Sequence, residues 1–348
     1  MVKPALLVIV GPTGVGKTAA AVALAARIPM EIVSADSRQV YRGMDVATAK
    51  PTAEERRAVP HHLIDVADPD DSYHAARFAR EARVAIDGIR SRGRVPVVVG
   101  GTGLYVRALV RGLDPAPPAD PVFRRELTEL ASREGPAALH ARLDREAPAM
   151  ARRLHPNDHV RIIRALELVR AGAPIGEAQQ RWRAGAEGAA DGTAGSADAV
   201  LFIGLTLPRE VLAQRLRDRA AAMVAAGLAD EVRALLARGY DPSLPAMQGI
   251  GYREFALVVR GALEEAEALR RMQRDTVRYA KRQWTWFARE PGLQWLDVDL
   301  CGGPREVARL AAERFQHVMA KRATDVAVRG GPRSGGEPSG EMIGGSAR

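Results

Sequence analysis

The octapeptide Gly11-Pro12-Thr13-Gly14-Val15-Gly16-Lys17-Thr18 constrains this chain more than any other stretch. It follows the apolar run of residues 5–10 and precedes an Ala/Leu-rich segment, residues 19–27, of strong helix propensity. Strand, loop and helix in that order make G-x-x-x-x-G-K-[ST] a phosphate cradle. The glycines let the backbone curl, its N–H groups converge on linked phosphates, and the helix N-terminus adds a favourable dipole. Lys17 is expected to neutralise a phosphate oxygen and Thr18 to hold Mg²⁺ through its hydroxyl. A Gly-rich turn without ligand is the alternative, and the matching flanks argue against it. The loop therefore predicts an α/β fold, a P-loop parallel sheet core, and a polyphosphate ligand whose identity it leaves open.

A short apolar run, residues 31–35, ends in Asp36-Ser37-Arg38-Gln39, which predicts a carboxylate at the carboxyl end of the second strand. Ligands of doubly wound sheets bind at that edge, beside the phosphate loop. An acid there serves as a metal ligand through water, as a general base or as a helix cap, and the residues alone leave all three open. Residues 94–99 read as a buried strand running into Gly100-Gly101-Thr102-Gly103-Leu104-Tyr105. Its glycines allow close backbone approach, and Thr102 offers a hydroxyl at the same edge. This strand lacks the terminal Asp with which a P-loop hydrolase usually holds Mg²⁺, which argues against an ATPase. His61-His62 has no partner at metal spacing and reads as structural or as loop hydrogen bonding.

The pattern predicts a P-loop core of residues 1–113 and 200–322, a helical insertion of residues 114–199, and a Gly/Ser/Pro-rich tail, residues 323–348, expected to be disordered. Helices are expected over 73–92, with Phe78, Ala82, Ala85 and Ile89 facing inward, and in the insertion over 123–133 and 136–153. Residues 185–197 read as a flexible loop. Further helices are expected over 209–238, with Arg215 and Arg219 on one face, over 264–288 and over 304–321, and an edge strand over 293–298. The helix over 264–288 mixes arginines with Tyr279, Trp284, Trp286 and Phe287, a combination suited to nucleic acid, although the tryptophans are assigned mostly to packing. The net charge of +9 favours a polyanionic partner. A single cysteine, Cys301, excludes an internal disulfide or a cysteine-ligated zinc and suits a reducing cytoplasm. The first apolar run is too short to span a bilayer and leads straight into the phosphate loop, so no membrane association is expected.

Taken together, these stretches resemble the tRNA dimethylallyltransferase family. The resemblance rests on residues 11–18, on Ser34-Ala35-Asp36-Ser37-Arg38-Gln39-Val40-Tyr41, Pro60-His61-His62-Leu63-Ile64-Asp65, Gly100-Gly101-Thr102-Gly103-Leu104-Tyr105, Arg164-Ala165-Leu166-Glu167, Gly249-Ile250-Gly251-Tyr252-Arg253-Glu254 and Ala280-Lys281-Arg282-Gln283, in this order. It implies transfer of a dimethylallyl group from dimethylallyl diphosphate to N6 of the adenosine 3′ to the anticodon, in tRNAs reading codons that begin with U. By position, the phosphate loop, Thr102 and Arg219 serve the diphosphate, and Asp36 is the general base. Asp36, Ser37, Arg38, Gln39, Thr102, Arg124, Val160, Arg161, Ile162, Ile163, Arg164, Gln248, Gly249, Ile250, Gly251, Tyr252 and Arg253 fall at tRNA-contacting positions. The expected partners are the tRNA anticodon stem-loop, the diphosphate donor and Mg²⁺, with the enzyme a cytoplasmic monomer. Val160 stands where family members often carry Gln, and Val277 where they often carry Arg. The rival reading is a P-loop small-molecule or nucleoside kinase, with Asp36 deprotonating a hydroxyl.

Overall fold

The computed structural model describes residues 5–113, 117, 119–135, 137–173 and 199–329. Described residues through 109 and from 199 onward form one compact unit, and those from 110 to 173 form another.

The first unit is built on six parallel strands in the order β3-β2-β4-β1-β5-β6. These are β1 (Leu6–Val10), β2 (Met30–Ser34), β3 (His61–His62), β4 (Val95–Gly100), β5 (Val200–Thr206) and β6 (Gln294–Asp297). The central strands are continuous aliphatic runs because helices cover both faces, leaving no polar side to alternate with. Leu7 and Ile9 pack with Ala20 and Leu24 of α1 (Lys17–Ala25) and with Val307, Ala311 and Phe315 of the last helix, Pro304–Arg329. On β2 and β4 lies α3 (Ala75–Ser91), which follows the short α2 (Ala53–Ala58) and buries Phe78, Ala82, Ile86 and Ile89, and α4 (Gly103–Arg111) comes after β4 in the chain. Ala85, expected inward, is only half-buried, and Ile86 takes that place.

Glu31 is the buried charge of this sheet, its side chain 5 % exposed. It accepts from Arg92 Nε at 3.0 Å and Nη2 at 2.7 Å, and pairs with His62 Nε2 at 2.7 Å. His62 is thus structural, and His61 Nδ1 bonds the Val59 carbonyl oxygen at 2.8 Å. Bonding to Arg92 outweighs burial and, with His62, pulls the Glu31 carboxyl down to about 2. The folded pKa lies below the unfolded one, so this stability is complete above about pH 4.5 and is lost as pH falls through about 2. Glu31→Gln should therefore cost about 2–3 kcal/mol at neutral pH and flatten the acid limb of the stability curve, as measured by denaturant titration across pH.

The second unit packs α5 (Pro121–Glu134), α6 (Ala137–Glu146), α7 (Pro148–Ala151) and α8 (His159–Arg170) around Phe123, Leu127, Leu139, Leu143, Ile162 and Leu166. Expected as one helix, residues 136–153 divide because Pro148 excludes helical geometry at Ala147, whose φ is −150° and ψ 74°. A second break corrects the expected helix over 209–238. Here Gly227, at φ 91°, separates α9 (Arg209–Ala225) from α10 (Leu228–Ala237). Residues 323–329, expected disordered, continue the last helix, α13. The expected flexible loop at 185–197 and the tail beyond 329 lie outside the described residues.

Candidate active site

The phosphate loop leaves β1 at Gly11 (φ 146°), where a Cβ would stand 2.5 Å from the Leu205 carbonyl oxygen. Gly14 (φ 77°) and Gly16 (φ 101°) complete the curl before α1 begins at Lys17. Val15 is fully buried, so it anchors the loop while the backbone faces the ligand. Lys17 Nζ donates to the carbonyls of Gly11 at 3.0 Å and Pro12 at 2.9 Å. Burial lowers its pKa to about 8, against the attraction of Asp36 and with help from the charge on Arg219. An incoming diphosphate would raise that pKa again. Diphosphate binding should accordingly take up a proton between about pH 8 and 10 and weaken as pH rises through that window. Calorimetry in buffers of differing ionisation enthalpy measures the uptake, and Lys17→Met should abolish it.

Two cavities, of about 360 and 250 Å³, share Thr13, Lys17, Asp36, Thr48 and Arg219. The smaller follows the loop through Thr18 to Arg215, so three cationic side chains surround a hole sized for linked phosphates. Burial, then the charge of Arg215, depress the pKa of Arg219, consistent with a cation kept for an anion. The larger cavity adds apolar lining from Leu216, Ala220 and Met223 of α9 and from Met272.

Asp36 faces both cavities from a turn that it stabilises itself. Its Oδ1 accepts the N–H groups of Arg38 at 2.8 Å and Gln39 at 3.3 Å, and Oδ2 has no hydrogen-bond donor among the described residues. One carboxylate oxygen thus caps the turn, and the other takes no part in it. Thr102 lies beneath this turn, Oγ1 accepting Ser37 N–H at 3.0 Å. Close approach makes this possible, since a Cβ on Gly100 would sit 2.1 Å from the Ala35 carbonyl oxygen.

Gln248, Gly249, Ile250, Tyr252 and Arg253 also line the larger cavity. Gly251, at φ 94°, caps α11 (Tyr252–Val259). Arg253 is paired with Glu254 and Asp275. Tyr252, only 1 % exposed, bonds Glu231 at 2.6 Å, so its ring shapes the wall and offers no stacking face. The helix α12 (Glu265–Phe287), which Asp275 ties to Arg253, adds Thr276, Tyr279, Arg282 and Gln283 to the lining. Sequence reasoning placed Tyr279 and the arginines of this helix in a stretch suited to nucleic acid but gave Thr276 and Gln283 no role in the site. The available signal was Gln283, an uncharged polar residue on the face of α12 that also carries Met272, Ala280 and Phe287. Trp286 packs beneath Arg107, and Trp284 stacks on Trp295 at 6.3 Å while remaining 38 % exposed, so the core face of α12 does not rest on the tryptophans.

In the second unit, Arg124 and Arg164 both bind Glu167, whose side chain is 2 % exposed. Arg124 does so bidentately at 2.7 and 2.9 Å, and Arg164 at 3.1 Å. Burial pushes the Glu167 carboxyl up, but the two guanidinium groups overcome this and hold it below its usual range. Arg161 pairs with Asp158 and is exposed, and Val160 is 81 % exposed. Ile162 corrects an expectation: fully buried in the unit's core, it presents no side chain to RNA.

A family model described as IPP transferase matches residues 39–290, and one described as isopentenyl transferase matches residues 4–66. The tRNA dimethylallyltransferase of Desulforudis audaxviator is 48 % identical over 309 residues, covering 88 % of this chain and 96 % of that one. That of Anaeromyxobacter dehalogenans is 51 % identical over 291 residues, covering 84 % and 92 %. The crystal structure of the tRNA isopentenylpyrophosphate transferase from Bacillus halodurans matches with a TM-score of 0.65 and 38 % identity, covering 94 % of this chain and 99 % of the other.

Proposed function

The chain belongs to the tRNA dimethylallyltransferase family, and from that membership we propose how its site moves a dimethylallyl group from dimethylallyl diphosphate to N6 of the adenosine 3′ to the anticodon. It is a prenyltransferase acting on tRNA. The observation that carries the mechanism is that Asp36 and Lys17 of the phosphate loop line the same two cavities.

Ionisation of an allylic diphosphate breaks the C1–O bond, and the electron pair leaves with diphosphate. Lys17, Arg219 and the converging loop N–H groups stabilise that departing charge. The N6 lone pair then forms the new C–N bond. Because this lone pair is delocalised into the adenine ring, its proton must leave as the bond forms, and Oδ2 of Asp36 is the acceptor. Oxygen donors around the smaller cavity, Thr18 and Ser34 with Asp36 beside them, suit a hard cation such as Mg²⁺. Among the described residues no group of three His, Cys, Asp or Glu is placed to hold a metal; Thr18 together with the diphosphate would hold Mg²⁺. When bound, it supplies further neutralisation of the leaving group. The apolar lining of Leu216, Ala220 and Met223 suits a branched hydrocarbon. Extrusion of the adenine costs a few kcal/mol, offset by contacts to Arg38, Arg253 and Arg282 at the cavity. Arg161 and Val160, exposed on the second unit, are proposed to meet the same tRNA in the cytoplasm, with the enzyme acting as a monomer. No described helix is long and apolar enough to cross a membrane.

Incubation with dimethylallyl diphosphate, Mg²⁺ and unmodified tRNA, followed by nucleoside mass analysis, should yield N6-dimethylallyladenosine at the position 3′ to the anticodon. Phosphate transfer from labelled ATP to a small acceptor, with no prenylated nucleoside, would overturn the proposal in favour of a kinase.

A further inference from the structure

We propose that Gln283 is a positioning residue of the transfer, holding the loop that grips the leaving group and the turn that carries the base at their working separation. The inference rests on the functional reading above. The Gln283 amide is buried, 6 % exposed, and bonds backbone on both sides: Oε1 accepts Thr13 N–H at 2.8 Å, and Nε2 donates to the Gly101 carbonyl at 2.9 Å. A backbone N–H only donates and a backbone carbonyl only accepts, so the orientation of the amide is set by its partners.

Thr13 belongs to the phosphate loop. From Gly101 the connection continues to Thr102, whose Oγ1 accepts Ser37 N–H, and so to the residue beside Asp36. A single side chain therefore joins the anchor of the departing group to the support of the base. The three loops concerned follow β1, β4 and β2, adjacent strands; Thr102 N–H bonds the Ala35 carbonyl at 3.2 Å and ties the β4 and β2 loops directly, and Gln283 ties that pair to the loop after β1. Gln283 fits that junction tightly, since a Cβ on Gly101 would lie 2.3 Å from its Nε2. It also follows Arg282 and stands one turn beyond Tyr279, both of which line the larger cavity. The helix that faces the RNA acceptor thus carries the amide that sets the donor loop. Misplacement of reacting groups by about 1 Å can cost about 10²-fold in rate.

Two substitutions test this role. Gln283→Met keeps the length and removes both hydrogen bonds. It should lower kcat by about 10²-fold at saturating donor and tRNA, while the Kd values for tRNA and for inorganic diphosphate stay within about threefold of wild type. Gln283→Glu mimics the amide only when neutral, because a protonated carboxyl can accept from Thr13 and donate to Gly101 whereas a carboxylate can only accept. Its kcat relative to wild type should rise as pH falls from 8 to 5, and the same ratio for Gln283→Met should stay flat. Should the Met variant fail to fold, the Glu variant carries the test by comparing one protein with itself across pH. A Met variant with wild-type kcat overturns the proposal, as does a flat ratio for Gln283→Glu or a loss of kcat matched by an equal loss of diphosphate affinity. Wild-type protein that binds tRNA and diphosphate yet prenylates nothing would instead sink the functional reading, leaving the two failures distinguishable.

Discussion

Asp36→Asn should turn over about 10²–10⁴ times more slowly than wild type at saturating substrates, with tRNA and diphosphate affinities nearly unchanged. An asparagine Oδ1 can still accept from the N–H groups of Arg38 and Gln39, so the turn that Asp36 caps should survive the substitution. What is lost is the second oxygen as a proton acceptor. The outcome separates the three roles open to this acid. A variant that keeps its turnover makes Asp36 a cap alone. One whose activity returns at high Mg²⁺ makes it a metal ligand through water. Single-turnover prenylation with saturating tRNA, over a range of Mg²⁺ concentrations, decides among them.

Gly100→Ala should destabilise the protein by about 3 kcal/mol or more and abolish activity in whatever fraction folds. The new methyl would meet the Ala35 oxygen at 2.1 Å and its carbonyl carbon at 2.5 Å, and both are backbone atoms that cannot rotate aside. Ala35 donates its N–H to Val99 and accepts from Thr102 N–H at 3.2 Å. Pushing it away parts β2 from β4 where the Asp36 turn rests on Thr102. Gly88→Ala is the matched control. Gly88 lies within α3, and its Cβ would meet only Arg92 Nη1, at 3.5 Å, so that substitution should be neutral or stabilising by up to about 1 kcal/mol. Denaturant midpoints for the two variants check both expectations.

Much of the site was legible because its parts are local. The phosphate loop, the Asp36 turn and the Gly100–Thr102 bend each need only a few neighbouring residues to take shape, and all three stand at the carboxyl edge of the sheet as their sequence context implied. The break at Gly227 was harder to read, since residues 209–238 carry helical composition throughout and only the φ of one glycine divides them. Arg124 and Arg164 show the limit differently. Their positions suggest RNA, yet Glu167, 43 residues from Arg124 in the chain, takes up both guanidinium groups, and such a distant pairing leaves no periodic trace.

By itself the sequence determined the chemical inventory: a phosphate cradle, an adjacent carboxylate, a basic and aromatic helix, and the strand–helix alternation of a parallel sheet. Tertiary structure alone decided how those parts face one another. It placed Gln283 between Thr13 and Gly101, closed Tyr252 and Ile162 into packing, and left one oxygen of Asp36 without a hydrogen-bond donor among the described residues. The physical reason is that backbone curl and helix propensity act over a few residues, whereas the spacing of loops from three different strands is set by contacts between residues 65 to 270 apart in the chain.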